Sequence, residues 1–218
     1  TSTTSISSTA TSSTANAASP TVHWERRELE DCCICLDKLS HDIEKNARAL
    51  CCGKEWHVKC HHNVQKSKMP DHLKHRCHHC RKPNPKTDEE CLERLRKWLA
   101  KGEAWAQHIM GIWYEDGEYG VKKSFVMAAM LFEKAVAQGD PNAMYHLAVL
   151  YGNGEGVAQS DEKAVALYTM AADQGQVSAM YNLGNQYIHG HGVTQSDEKA
   201  VELYTMAAEQ GQVNAMFN

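Results

Sequence analysis

The chain has 218 residues and a formal net charge of −4, which is enough length for one or two domains. That charge excludes a strongly basic protein of the kind that coats nucleic acid, and no nucleic-acid partner is expected. No apolar run approaches the roughly 20 residues that a membrane-spanning helix needs, so the sequence predicts no membrane segment.

Residues 1–22 form a Ser/Thr-rich tail, in which 13 of the first 20 residues are Ser or Thr and none is charged. Such a tail buries too little apolar surface to offset the entropy lost on ordering, so we predict that it is disordered. Since the chain begins at Thr1 and stops inside a repeated segment, we also expect it to be a piece of a longer protein.

Cysteine is the most informative residue type, because all nine cysteines lie between positions 32 and 91. Cys-x2-Cys pairs, intermixed histidines and the lack of a secretory apolar region argue against a secreted disulfide scaffold. We therefore expect an intracellular protein, cytoplasmic or nuclear, that binds metal.

The metal-ligand candidates combine three x2-spaced pairs with one adjacent pair. They are Cys32, Cys35, Cys51, Cys52, His57, Cys60, Cys77 and Cys80. Two ligands on one tight turn can meet one tetrahedral zinc ion at about 2.3 Å. Eight ligands suit two zinc ions, whose binding would supply most of the folding free energy of so short a module.

Several neighbouring residues leave the ligand assignment open. Cys33 adjoins the first pair, and the roles of Cys33 and Cys91 are undetermined; either is conceivable as a thioester-forming nucleophile. The histidines that can substitute for a ligand are His61, His62, His78 and His79.

Residues 87–102 are predicted to form a bridging helix. Thr87 and Glu90 have the spacing of a capping box, and Gly102 is placed to end the helix. Leu92, Leu95 and Leu99 share one apolar face, with Trp98 beside it.

From about residue 104 the chain repeats itself with a period of 36, and Gly139, Gly175 and Gly211 mark the period. The segment QSDEKAVALYTMAADQGQVSAMYN recurs as QSDEKAVELYTMAAEQGQVNAMFN, and a degenerate copy covers 106–140. Ser160 and Ser196 are placed to cap the second helix of each copy. A period in this range is typical of an all-α helix-turn-helix solenoid.

These segments resemble Sel-1-like repeats, relatives of the tetratricopeptide repeats. The resemblance covers residues 104–218, as three repeats plus the start of a fourth, and implies a scaffold that holds a protein substrate or adaptor. We expect the Tyr, Met and Trp side chains of these helices to pack in the core. His146, His189 and His191 are expected to be surface or turn histidines and not ligands.

The string DCCICLDKL … ALCCGKEWHVKC … HRCHHCRKP, within residues 28–86, resembles a RING-type zinc finger. The resemblance implies a cross-braced fold. One zinc ion would take Cys32, Cys35, His57 and Cys60, and the other would take Cys51, Cys52, Cys77 and Cys80.

The same resemblance implies a ubiquitin-protein ligase that recruits a ubiquitin-conjugating enzyme and supplies no catalytic side chain. Ile34 and Pro83 match the apolar docking positions of the family, and Arg81 matches the position whose guanidinium bridges ubiquitin and the conjugating enzyme.

Two departures from the family keep other functions open. His78 stands where many RING domains have Pro after the seventh ligand, and the Trp that often precedes that ligand is absent. One alternative is a non-enzymatic zinc-binding interaction scaffold. Another is a PHD-like reader of histone tails, which the spacing of Cys52, His57 and Cys60 also suits.

Overall fold

The computed structural model describes residues 46–48, 50, 55–57 and 82–212. Two short strands, β1 (Asn46–Arg48) and β2 (Glu55–His57), pair antiparallel with Asn46 opposite His57. The sequence shows no strand signal in this region, because three residues are too few to display an alternating pattern. The predicted tail at 1–22 and the start of a fourth repeat at 213–218 lie outside the described residues.

Seven helices follow in the described part of the chain. They are α1 (Asp88–Leu99), α2 (Ala104–Asp116), α3 (Phe125–Val136), α4 (Pro141–Asn153), α5 (Asp161–Asp173), α6 (Val177–His189) and α7 (Asp197–Glu209). The helices α2 to α7 pack as three consecutive pairs, and each pair stacks on the next. The all-α solenoid predicted for this region is therefore confirmed.

Helix α1 begins at the predicted cap. The Thr87 hydroxyl accepts the backbone N–H of Glu90 at 3.2 Å. The Glu90 carboxylate, however, accepts the N–H of Lys86 at 2.9 Å and not that of Thr87, so only half of a capping box forms. Leu92 and Leu95 are buried, as the apolar face predicts.

The second helix of each pair begins after a serine, and the predicted caps are confirmed. The hydroxyls of Ser160 and Ser196 accept N–H groups of the first turn, as does that of Ser124 in the degenerate copy. Each such cap contributes about 1 kcal/mol to helix stability, because it satisfies a donor that the helix itself leaves unpaired.

Glycines in the turns let successive repeats approach each other closely. Gly156 and Gly192 have φ angles of 72° and 69°. A Cβ atom on Gly156 would lie 2.4 Å from the carbonyl carbon of Phe125, and one on Gly192 would lie 2.5 Å from that of Asp161. The turn of one repeat thus packs directly on the first turn of the second helix in the repeat before it.

The solenoid core alternates large and small side chains. Phe132, Met144 and Met180 are essentially inaccessible to solvent. Between them lie fully buried alanines, which let neighbouring helices pack closely: Ala128, Ala135, Ala164, Ala171, Ala200 and Ala207. The expectation that all Met side chains of these helices pack in the core is wrong for three of them, because Met127, Met130 and Met206 are exposed.

Candidate interaction surface and the cysteine-rich segment

Two hydrogen bonds join the cysteine-rich segment to helix α1. Nε1 of Trp98 donates to the backbone carbonyl of Leu50 at 2.8 Å, across 48 positions of sequence. The Arg94 guanidinium donates to the Pro83 carbonyl at 2.7 Å. Leu50 also packs against the apolar cluster around Leu95, so the residue directly before Cys51 is held on the bridging helix.

The structure describes few of the residues predicted to bind zinc or a conjugating enzyme. The backbone of His57 lies in β2, and Pro83 is exposed. The other seven ligand candidates lie outside the described residues, as do Ile34 and Arg81. Within residues 82–212, no group of three or more His, Cys, Asp or Glu side chains is arranged to hold a metal ion. The zinc sites remain a prediction.

Cys91 lies half-buried on α1, and its chemistry does not suit a thioester-forming nucleophile. Burial raises the pKa of the Cys91 thiol, and the nearby Asp88 carboxylate raises it further. A nucleophilic cysteine needs the opposite shift, because the thiolate is the reactive form. Of the two conceivable nucleophiles, Cys91 is therefore disfavoured.

A row of half-buried tyrosines runs along the first helices of the second and third repeats. Tyr145 on α4 and Tyr181 on α6 occupy positions 36 residues apart. Their rings lie 6.1 Å from Tyr168 and 5.6 Å from Tyr204, centroid to centroid. As the sequence predicts, both tyrosines pack against the hydrophobic core, and their side chains also remain partly open to solvent. We call Tyr145, Tyr181 and Asn182, which follows Tyr181 in the sequence, the tyrosine row.

Amide side chains form hydrogen bonds with Tyr168 and Tyr204, the two buried tyrosines that lie behind this row. Nδ2 of Asn182 donates to the Tyr168 hydroxyl at 3.2 Å, and the Tyr204 hydroxyl donates to Oδ1 of Asn185 at 2.6 Å. Burial raises the pKa of Tyr168 to about 12, so this phenol stays protonated at neutral pH. The row thus presents aromatic groups that lie against hydrogen-bonded neighbours, and aromatic side chains are enriched in protein-binding sites.

Two histidines lie where the first and second repeats meet, and the contact between them does not follow from the sequence pattern. His108 on α2 is only 1% exposed, and its ring centroid lies 5.3 Å from that of His146. His146, expected at the surface, is instead half-buried, with Nδ1 3.2 Å from a Glu115 carboxylate oxygen. His108 is not among the predicted functional residues, although the apolar pattern WAQHIMGI around it is a signal of burial.

Burial sets the protonation state of His108. It lowers the pKa of the imidazole to about 4, despite the opposing influence of the Asp140 carboxylate. Within the described residues, Nε2 of His108 has no hydrogen-bond partner. His108 is therefore a neutral core residue at physiological pH. His189 and His191 are exposed at a turn, as expected for surface or turn histidines.

No helix among the described residues is long and apolar enough to cross a membrane.

Comparison with known families identifies the repeated region. The Sel1 repeat family matches residues 106–140, 141–176 and 177–212, so the chain carries three Sel1 repeats. These bounds agree with the repeat copies read from the sequence. A comparison with curated proteins gives no match.

Two solved structures illustrate the likeness. The chain is similar to c5321, a protective antigen of uropathogenic Escherichia coli strains, with 32% identity, a TM-score of 0.58 and 61% of this chain covered. It is also similar to a Sel1 repeat protein from Oxalobacter formigenes, with 34% identity, a TM-score of 0.55 and 59% covered. The chain spans 28% of the first protein and 52% of the second.

Proposed function

Residues 106–212 are three Sel1 repeats. From this premise we propose that the protein is a scaffold and that it binds a protein partner along the tyrosine row. The observation that carries the proposal is the recurrence of Tyr145 and Tyr181, which pack against the core and remain partly open to solvent, at equivalent positions of successive repeats. Each tyrosine is a large, stiff contact group that loses little side-chain entropy on binding. Stacked repeats repeat the same contact along the solenoid, which suits an extended partner.

Site-directed photocrosslinking tests this proposal. A photoreactive phenylalanine analogue replaces Tyr145 or Tyr181 in the full chain, which is then irradiated in cell extract. We expect a discrete covalent adduct with a partner protein, and competition by excess unmodified chain. The matched control places the same analogue at Thr169, which is exposed on α5. Adducts of equal yield from Thr169 and Tyr181, or none from either tyrosine, would contradict the proposal.

We further propose that the cysteine-rich segment is a RING-type ubiquitin ligase module and that the repeats hold its substrate or an adaptor. The spacing of the eight ligand candidates supports this, together with Ile34, Arg81 and Pro83 at the docking positions of the family. The contacts from Trp98 and Arg94 to this segment favour a fixed connection between module and scaffold. Such a connection would hold a bound substrate within reach of the conjugating enzyme.

A ubiquitination assay tests the ligase proposal independently of the scaffold proposal. Purified chain, ubiquitin, activating enzyme and a panel of conjugating enzymes should yield ubiquitin chains. Ile34→Ala and Arg81→Ala should each abolish most of that activity without releasing zinc, because both residues are predicted to touch protein and not metal. Zinc-loaded protein that is inert with the whole panel would favour the non-enzymatic scaffold. Specific binding to histone-tail peptides would favour the PHD-like alternative.

A further inference from the structure

The outer face of α3 differs from the same face of its two sibling helices. Val126, Met127 and Met130 are 56%, 39% and 48% exposed. Positions 36 and 72 residues later carry polar or small groups. These are Glu162, Lys163 and Ala166 on α5, and Glu198, Lys199 and Glu202 on α7. Val126, Met127 and Met130 are here called the α3 patch.

The fold does not require the α3 patch. Helices α5 and α7 carry two acidic residues each in the first turn, where carboxylates interact favourably with the positive end of the helix dipole. Helix α3 has none there. It replaces that favourable interaction with apolar side chains that face water, although Ser124 caps it just as the sibling helices are capped. Because α5 and α7 form the same solenoid without large apolar residues at these three positions, the α3 patch is a feature of α3 that the fold does not need.

The charge around the α3 patch is reversed relative to the siblings. Residues 122–134 contain Lys122, Lys123, Lys134 and Glu133, a net charge of +2 (three positive, one negative). The equivalent windows carry −1 at 158–170 (one positive, two negative) and −2 at 194–206 (one positive, three negative). Apolar exposure and positive charge therefore coincide on one helix.

The lysines flank the apolar side chains at both ends. Nζ of Lys123 lies 4.6 Å from the centroid of the Phe125 ring, just before the patch begins. Lys134 follows Met130 by four positions and so lies one turn further along the same side of the helix. An apolar centre with cations at its ends complements a partner that has an apolar stripe bordered by carboxylates.

We propose that the α3 patch binds an acidic amphipathic helix of a partner protein. The apolar residues of that helix would cover Val126, Met127 and Met130, and its carboxylates would pair with the flanking lysines. This surface lies on a second helix of a repeat and is separate from the tyrosine row, which lies on first helices. It is a second docking site on the scaffold and does not depend on the first.

A pair of synthetic helical peptides tests the proposal by fluorescence anisotropy with the full chain. Both peptides carry leucine at i, i+3, i+4 and i+7; one has glutamate at the flanking positions and the other has lysine. We expect the glutamate peptide to bind at least about tenfold more tightly, and its affinity to fall with added salt. Equal binding of the two peptides, or no binding of the glutamate peptide, would overturn the proposal.

Variants that copy the sibling helix supply the matched test. The triple variant V126E/M127K/M130A installs the residues that α5 carries at the same positions, so its helix content and melting temperature should stay close to those of the original chain. It should lower affinity for the glutamate peptide about tenfold or more. The control V201A/M206A removes exposed apolar groups from α7 and should leave affinity unchanged. Unchanged affinity of the triple variant would overturn the proposal.

Two further measurements address other occupants of the patch. Co-sedimentation with anionic phospholipid vesicles that is lost in the triple variant would assign the patch to a membrane surface instead. A dimer in analytical ultracentrifugation that the triple variant converts to monomer would assign it to a second copy of the chain. Either result would overturn the proposed partner. In contrast, crosslinking through Tyr181 reports on the tyrosine row and does not depend on any of these outcomes.

Discussion

The indole of Trp98 donates a hydrogen bond to the carbonyl of Leu50, and this contact joins two residues that are 48 positions apart in the sequence. Leu50 directly precedes the predicted ligands Cys51 and Cys52, whereas Trp98 lies on the helix that leads into the repeats. Through this contact the cysteine-rich segment and the scaffold can affect each other's stability.

Trp98→Phe should loosen this connection, because it removes the N–H group that donates to the Leu50 carbonyl. We expect a loss of about 1 kcal/mol in local stability. Limited proteolysis should show faster cleavage between residues 50 and 87, with no change in the cleavage of the repeats. Lys101→Gln is the control, since it removes the lysine that sits 4.1 Å over the Trp98 ring but keeps the hydrogen bond. Equal acceleration in both variants would show that the hydrogen bond is not responsible.

Gly192→Ala should destabilise the solenoid by about 2 to 4 kcal/mol. The new Cβ would occupy a left-handed conformation and also collide with the backbone of Asp161. Gly102→Ala isolates the first effect, because Gly102 has a φ of 76° but no atom within 4 Å of the added Cβ. That control should cost about 1 kcal/mol. Urea unfolding followed by circular dichroism measures both, and similar losses would contradict the close approach.

Solenoid stability should fall as pH decreases from about 6.5 to about 4. His108 has a pKa near 4 in the folded chain and an ordinary value of 6.5 when unfolded, so only the unfolded chain binds the extra proton in this window. Stability is fully retained above pH 6.5, and the total loss reaches roughly 3 kcal/mol. The groups that act on His108 are Asp140, Glu115 and His146, of which only the two carboxylates favour the charged form.

Urea unfolding between pH 4 and 7 measures this dependence. His108→Phe should flatten the curve in that window, because phenylalanine fills a similar space and does not titrate. His191→Gln is the control, since His191 is exposed and should leave the curve unchanged. A pH dependence that persists in His108→Phe would assign the effect to other groups.

Purified chain should contain two zinc ions, measured by elemental analysis. A chelator should remove them and unfold the cysteine-rich segment, because metal binding is coupled to folding in such modules. The helices α2 to α7 should keep their circular dichroism signal, since their core contains no predicted ligand. One zinc ion or none would refute the eight-ligand assignment, in which the adjacent pair Cys51 and Cys52 is the least usual feature.

The sequence alone was sufficient for the repeats, because their signals are local. Ser160 and Ser196 cap helices through hydrogen bonds within one turn, and the 36-residue period follows from identical residues along the chain. The same local signals located α1 through Thr87. The spacing of the ligand candidates between Cys32 and Cys80 is also a property of the sequence. The zinc and ligase predictions rest on sequence features of this kind alone.

Tertiary structure decided what depends on neighbours distant in the chain. The ring contact between His108 and His146 and the pairing of His146 with Glu115 arise because one repeat stacks on the next, which no local pattern encodes. The exposure of Met127 and Met130 has the same origin, since a helical period identifies faces but does not say which neighbour covers them. Local sequence signals therefore determined where the helices begin and end. Packing between repeats decided which side chains stay exposed and can contact a partner.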